Sequence, residues 1–408
     1  MSFDFPRSTV ERGLQDTVAF LQELVRIPSV LGNEEPAQRL VENRLRELGF
    51  EVRSLEPSAE RLASHPESGI PLAPYEGRRC LVGTLAGGSG RSLLLNGHVD
   101  VVSEAPADQW TRPPFGADIE GGRLYGRGAC DMKGGIAAML LGVEAALAAG
   151  PLPGPVVYQS VIEEECGGNG ALAACLEGPG ADGVVIAEPT NGGFDVVAVG
   201  VIWARITVEA RARHASSADE DSNPIETAFA VVDALHGLEA ELNCDPELEF
   251  AGVARPYLLN VGALHAGDWP SMSPGRAVLD VRLGLPLRMD PKEGQARLAE
   301  TVRRVAPPAQ VEFRGFRARG YSFDARSPLV RLLSDCHEAV HGRRPKPEPS
   351  RATTDLRFFG RPLGPGQAAC YGPTGDGLHG VDEWVDIESI ADVATVLALL
   401  IRRWGESA

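Results

Sequence analysis

The chain has 408 residues, past the length at which one hydrophobic core stops growing, so two domains or one large insertion is expected. Hydrophobic residues make up 43% and charged residues 23%, the proportions of a globular protein and not of a fibre or a disordered chain. A formal net charge of -17 repels phosphate backbones and anionic lipid, which argues against nucleic acid and membrane surfaces as partners.

The opening run MSFDFPRSTVERGLQD lacks the apolar stretch of a secretory signal. From Ser8 to Ile27 the residues Val18, Leu21, Leu24 and Val25 recur at helical spacing, and Glu35 to Leu48 repeats the pattern before Gly49, so two helices are predicted. The segment Ser58 to Arg79, rich in proline and carrying Tyr75, reads as an additional loop that shapes either the pocket or a subunit edge. Cys80 to Leu85, Ser92 to Asn96, Val156 to Val161 and Gly183 to Ala187 are short apolar runs, as buried strands of a largely parallel sheet should be. With the small-residue helix Gly134 to Ala149 between them, the alternation predicts an α/β fold: a mixed, mostly parallel sheet flanked by helices.

Near Val199 the pattern changes. Val201 to Ala210 and Ala277 to Leu285 alternate apolar and polar residues, and Pro224 to Leu238 is an amphipathic helix, which together predict an inserted α+β domain. Helical periodicity returns at Ser327 to His341 and Ile387 to Trp404, past a Pro- and Lys-rich loop at Arg343 to Ser350. The expected division is residues 1–198 and 317–408 as one domain, with 199–316 inserted into it.

The chemistry sits at the strand ends. His98 and Asp100 follow the run Ser92 to Asn96; on an extended chain they share a face, so Asp100 can accept one ring proton of His98 and free the other nitrogen. Asp131 stands in the glycine-rich loop Gly126 to Gly135, where it is either a helix cap or a ligand able to bridge two cations. Glu163-Glu164-Glu165 ends the strand Val156 to Val161, and three adjacent carboxylates there are costly unless cations neutralise them. Glu188 ends the next strand, and His379 lies in the glycine loop Gly372 to Gly380 before Asp382-Glu383-Trp384-Val385. Two histidines and three acids are a donor set for two zinc ions with open positions. The seven cysteines contain no C-x-x-C pair, which argues against a thiolate site or a disulfide framework and for a reducing, cytoplasmic setting.

The ordered set of five motifs resembles the co-catalytic zinc hydrolase family of acetylornithine deacetylase, succinyl-diaminopimelate desuccinylase, aminoacylase and glutamate carboxypeptidase, over essentially the whole chain. The resemblance implies a zinc exopeptidase-like fold whose insert is a lid and dimerisation domain. It implies two Zn2+, replaceable by Co2+ or Mn2+, with His98 and Glu188 on one, Glu165 and His379 on the other, and Asp131 between them. Glu164 is then the general base acting on a metal-bridged water, Asp100 orients His98, and the Asp131 to Met132 peptide is expected to be cis. His214 would reach the active site of a partner subunit in a homodimer; Asn223, in the Asn223-Pro224-Ile225 turn, would contact the substrate, and Arg282 and Arg357, with Arg351 a weaker third, would bind its carboxylate. The implied activity is hydrolysis of the amide bond of N-acyl amino acids in the manner of acetylornithine deacetylase. Dipeptides and formylated amines are the alternatives, and a catalytically silent metal-binding relative is a further one. Trp269-Pro270-Ser271-Met272 replaces the asparagine that many relatives carry before the lid proline, so a polar substrate contact is lost there.

Overall fold

A computed structural model of the chain describes residues 4–220, 223–360 and 363–407. Its main sheet has six strands in the order Glu51–Leu55, Cys80–Leu85, Val156–Val161, Leu93–His98, Gly183–Ile186, Ala368–Cys370. Leu93–His98 runs parallel to both of its neighbours, and Ala368–Cys370 continues the parallel set, while Cys80–Leu85 is reversed, antiparallel to both Val156–Val161 and the edge strand Glu51–Leu55. The fold is therefore α/β with a mixed, mostly parallel sheet. The two central strands Leu93–His98 and Val156–Val161 are buried at every residue, so both of their faces are covered and their carboxyl ends open onto the site.

Gly134–Ala148 is apolar but for Glu144, and it is accordingly enclosed, packed against the helices Asp4–Arg26 and Ile387–Glu406. The last of these is capped by Asp386, whose side chain accepts the Ser389 N–H. A second sheet, in the order Leu259–Ala266, Arg276–Leu285, Gly200–Glu209, Gln310–Ala318, is wholly antiparallel. Helices Pro224–Leu242 and Pro291–Val305 pack on one of its faces. Its apolar residues form a core of their own, from Val199 to Ala318, separate from the core around the main sheet.

The elements the sequence left unassigned include Glu51–Leu55, Asn169–Glu177, Leu259–Ala266, Pro291–Val305, Gln310–Ala318 and Ala368–Cys370. Cys80–Leu85, expected among parallel strands, is antiparallel to both neighbours. No helix of the described residues is long and apolar enough to cross a membrane.

Candidate active site

His98 is the last residue of a fully buried strand, so its ring is held at the sheet edge with 1% of the side chain exposed. Its Nδ1 lies 2.9 Å from the main-chain oxygen of Asp100. A carbonyl only accepts, so Nδ1 carries the proton and Nε2 is a bare lone pair. Nε2 is buried without a hydrogen-bond partner, 3.3 Å from a carboxylate oxygen of Asp131 and 3.6 Å from one of Glu188.

This corrects the role expected of the Asp100 side chain. Its carboxylate stands 3.7 Å from His98 Nδ1 and instead accepts the N–H groups of Glu164 at 3.2 Å and Glu165 at 3.0 Å. The shared-face rule fails because the strand ends at His98, and the chain no longer alternates beyond it. Asp100 supports the ring with its backbone and the acidic triplet with its side chain.

Asp131 faces both histidines. One carboxylate oxygen lies 3.3 Å from His98 Nε2 and the other 3.4 Å from His379 Nε2, and Glu165 approaches His379 Nε2 at 2.8 Å. Asp131 thus stands between two pairs, His98 with Glu188 and His379 with Glu165. Ligand atoms of His98, Asp131 and Glu165 all lie within 4.8 Å of one another. A Cβ on Gly135 would fall 2.0 Å from the main-chain oxygen of Ala187, so only glycine lets the helix behind Asp131 lie against the strand end that presents Glu188. The Asp131–Met132 peptide is cis, as expected.

Glu383 had no role assigned from sequence, and it organises this loop. Its buried Oε1 accepts the N–H groups of Cys130 at 2.9 Å and Asp131 at 3.0 Å, and Oε2 accepts Gly128 N–H at 2.9 Å and Arg127 Nη1 at 2.7 Å. The available signal was the acidic pair Asp382-Glu383 set between Val381 and Trp384-Val385, directly after the His379 loop.

Burial dominates the electrostatics. It pushes the Glu164 carboxyl well up, helped by the Asp355 charge, and pushes Glu188 up against the pull of His98. Burial also opposes a charged His379, but the Glu165 charge and the hydrogen bond to Asp131 outweigh it and lift the ring to about 11. In the same way the hydrogen bond from His379 and the charge of its ring overcome burial and hold Asp131 well below the usual carboxylate range. An excess of buried carboxylates around bare or proton-seeking imidazoles calls for positive charge, and this nitrogen and oxygen donor set fits two divalent cations. Glu164 Oε1 is also buried without a partner. Glu164 lines a cavity of about 230 Å³ together with Asp131, Glu165, Glu188 and His379.

Of the expected substrate contacts, Arg282 lines this cavity and an adjoining cleft of about 400 Å³, and Trp203 and His379 also line both. The Arg282 guanidinium is steadied by the Arg351 main-chain oxygen at 2.6 Å, so Arg351 contributes its backbone there while its own guanidinium donates to Ala254. Arg357 is corrected. Its side chain is 2% exposed, donates to Thr354 O at 2.8 Å and Gly167 O at 2.9 Å, stacks 4.2 Å over Phe358, and does not line the cavity. Gly168, at φ 68°, folds the loop onto it so closely that a Cβ would meet Arg357 Nη2 at 2.1 Å. Asn223 is also corrected: Pro224 opens the helix behind it, and its Oδ1 caps that helix by accepting Ile225 N–H at 2.9 Å. His214 is exposed on the short bridge Arg213–His214, its Nδ1 2.8 Å from Ser216 Oγ, outside both cavities of its own chain.

Residues 94–403 match the model of "Peptidase family M20/M25/M40". A succinyl-diaminopimelate desuccinylase of Gluconacetobacter diazotrophicus is 31% identical over 94% of this chain and 95% of its own length. One from Maricaulis maris is 29% identical over 97% and 96%. Among solved structures, the di-peptidase Dug1p from Saccharomyces cerevisiae superposes with a TM-score of 0.84 at 15% identity, over 100% of this chain and 99% of that one. The Bacillus subtilis YXEP protein, described as a dinuclear metal binding peptidase, gives 0.63 at 15%, over 98% and 99%. Match, coverage and fold agree: this chain belongs to Peptidase family M20/M25/M40 and is a hydrolase of amide bonds.

Proposed function

We propose that the protein removes the acyl group from an N-acyl amino acid by hydrolysis, using two zinc ions held by His98 and Glu188 on one side, Glu165 and His379 on the other, and Asp131 between them. The observation that carries this is Asp131, whose two oxygens face two separate His–Glu pairs, beside a Glu164 whose Oε1 is buried and unpartnered. When bound, the cations polarise the scissile carbonyl and lower the pKa of water. Glu164, with no competing hydrogen bond at Oε1, takes the proton of the attacking water and delivers it to the leaving amine. Asp100 holds the main chain of Glu164 and Glu165 while this happens. Arg282, at the junction of the two cavities, pairs with the substrate's carboxylate.

Residues 199–316 act as the lid, and 1–198 with 317–408 carry the chemistry. The curated relatives named as desuccinylases favour a carboxylated acyl group over acetyl. Cobalt and manganese accept the same ligand types as zinc. A homodimer through the insert is supported by its unpaired edge strand Leu259–Ala266, by the exposed Phe229, Leu264 and Trp269, and by His214, which is free to enter a partner's cavity. Seven free cysteines support a cytoplasmic setting.

The test is titration of zinc, cobalt or manganese into chelator-stripped protein while amine release is followed from N-succinyl amino acids, N-acetyl amino acids and dipeptides. Fastest turnover of acylated amino acids supports the proposal. Faster dipeptide cleavage, or no turnover with any metal, overturns it.

A further inference from the structure

Strands Glu51–Leu55 and Cys80–Leu85 are antiparallel neighbours with Leu55 opposite Cys80, a pairing that about two to five turn residues would close. The chain instead spends residues 56–79 there. At its far end this excursion is stitched to the insert: Ile70 and Gly315 exchange main-chain hydrogen bonds at 2.8 and 3.0 Å, and Arg317 donates to Ser68 O at 3.0 Å. At its near end it closes on Glu163, the first acid of the triplet. We propose that Arg78 is a positioning residue for Glu164, acting through Glu163, with residues 58–79 as the strap that holds it in place. The proposal rests on Glu164 being the general base.

Glu163 is the pivot of the turn that presents Glu164 and Glu165. It is fully buried and sits at φ 67°, ψ 21°, a left-handed backbone that a non-glycine residue keeps only when its surroundings enforce it. Its main-chain oxygen closes the turn by accepting the N–H groups of Gly167 at 3.1 Å and Gly168 at 2.6 Å. Its carboxylate is gripped on both sides. Oε1 accepts Tyr75 O–H at 3.0 Å and Asn169 Nδ2 at 3.3 Å, and Oε2 accepts Arg78 Nη1 at 3.3 Å.

The grip is itself anchored. Asn169 Nδ2 donates to Tyr75 Oη at 2.8 Å, while Asn169 Oδ1 accepts Gly69 N–H at 2.8 Å. Arg78 donates Nε to Glu34 Oε2 at 3.1 Å, with a second bond from Nη2 to Glu34 Oε1. The Glu34 pair alone satisfies the guanidinium charge. Nη1 is directed at the Pro74 main-chain oxygen at 3.3 Å and at the Glu163 carboxylate, the residue before Glu164, and a displacement there is transmitted along one peptide to the base. Small misplacements of a reacting group are costly in rate, since about 1 Å can cost a hundredfold.

The test compares kcat, KM, bound metal and melting temperature of metal-loaded Arg78→Met, Arg78→Lys, Glu163→Gln, Tyr75→Phe and Arg317→Met, and of the double variant Arg78→Met/Glu163→Gln. Arg78→Met should lower kcat about tenfold with KM within about twofold, Tyr75→Phe about threefold, and Arg78→Lys should recover part of the loss. Arg317→Met, on the same strap at its far end, should lower the melting temperature and leave kcat in place. The double variant should cost no more in kcat than the worse single, because both act through one contact. The proposal is overturned if kcat of Tyr75→Phe and the Arg78 variants stays within about 1.5-fold of the parent, if KM rises instead, or if Arg317→Met costs as much kcat as Arg78→Met. Should Arg78→Met not fold, Tyr75→Phe and Arg78→Lys, which keeps a positive charge opposite the buried Glu34, decide. Glu164→Gln separates the two ideas: full activity in it refutes the general base, whereas an inactive Glu164→Gln beside unaffected strap variants refutes the strap alone.

Discussion

Replacing Glu383 with glutamine tests how the loop that carries Asp131 is held. The carboxylate accepts four donors, two on each oxygen, from Gly128, Cys130, Asp131 and Arg127. A glutamine keeps one acceptor oxygen and turns an NH2 group toward the other two donors, so two charge-assisted bonds are lost. At about 1.5–3 kcal/mol each, the direct loss is about 3–6 kcal/mol. The Arg127 side chain, only 1% exposed, is also left without its counter-charge, which places the cost toward the upper end. Against a total stability of about 5–15 kcal/mol this is a large fraction, and it should show as a clear fall in the urea unfolding midpoint. The same loosening frees the Asp131 main chain, so metal affinity, measured by competition with a chromophoric chelator, should fall about 10–100-fold. If the midpoint drops while metal affinity stays within about twofold, Glu383 serves stability only and its link to Asp131 is wrong.

Glu164→Gln removes the charge and keeps the shape, so it should retain two metals per chain by elemental analysis and lose about 10³-fold in kcat. Arg282→Ala should raise KM for an N-acyl amino acid about 10–100-fold with little change in kcat; an unchanged KM would show that no carboxylate docks there. Mixing inactive His214→Ala chains with inactive Glu164→Gln chains should restore about a quarter of parental activity, because half the dimers are mixed and each holds one complete site. No recovery would place His214 outside the partner's cavity. Burial, aided by the charges of His341 and Arg343, lowers the His337 pKa from 6.5 to about 4. The denatured chain then takes up this proton first, so the stabilisation is complete above pH 6.5 and is lost as pH falls toward 4, worth about 3 kcal/mol. His337→Gln should flatten that part of the stability profile in urea titrations between pH 4 and 7, and an unaltered slope would contradict it.

Residues that end buried strands were readable in advance because apolar runs set off by glycine are unambiguous: Leu93–His98, Val156–Val161 and Gly183–Ile186 delivered His98, the acidic triplet and Glu188 to one edge. Edge elements were not, since Glu51–Leu55 exposes three of its five residues and Ala368–Cys370 contains no β-branched side chain. Pro291–Val305 carried its own start signal in Asp290-Pro291, but Gly294 interrupts the helical pattern. Side-chain direction was the real gap. Sequence places a guanidinium at 357 but says nothing of the left-handed Gly168 that turns the neighbouring loop onto it, and it places a carboxylate at 100 without revealing that the chain leaves the extended form just before it.

The acceptor that fixes the His98 tautomer is a peptide oxygen, which every amino acid supplies. No codon change at position 100 deletes it, and no acid protonates it in the range where carboxylates titrate. A substitution scan would therefore report position 100 through the acidic triplet alone, and would be blind to the contact that prepares the imidazole.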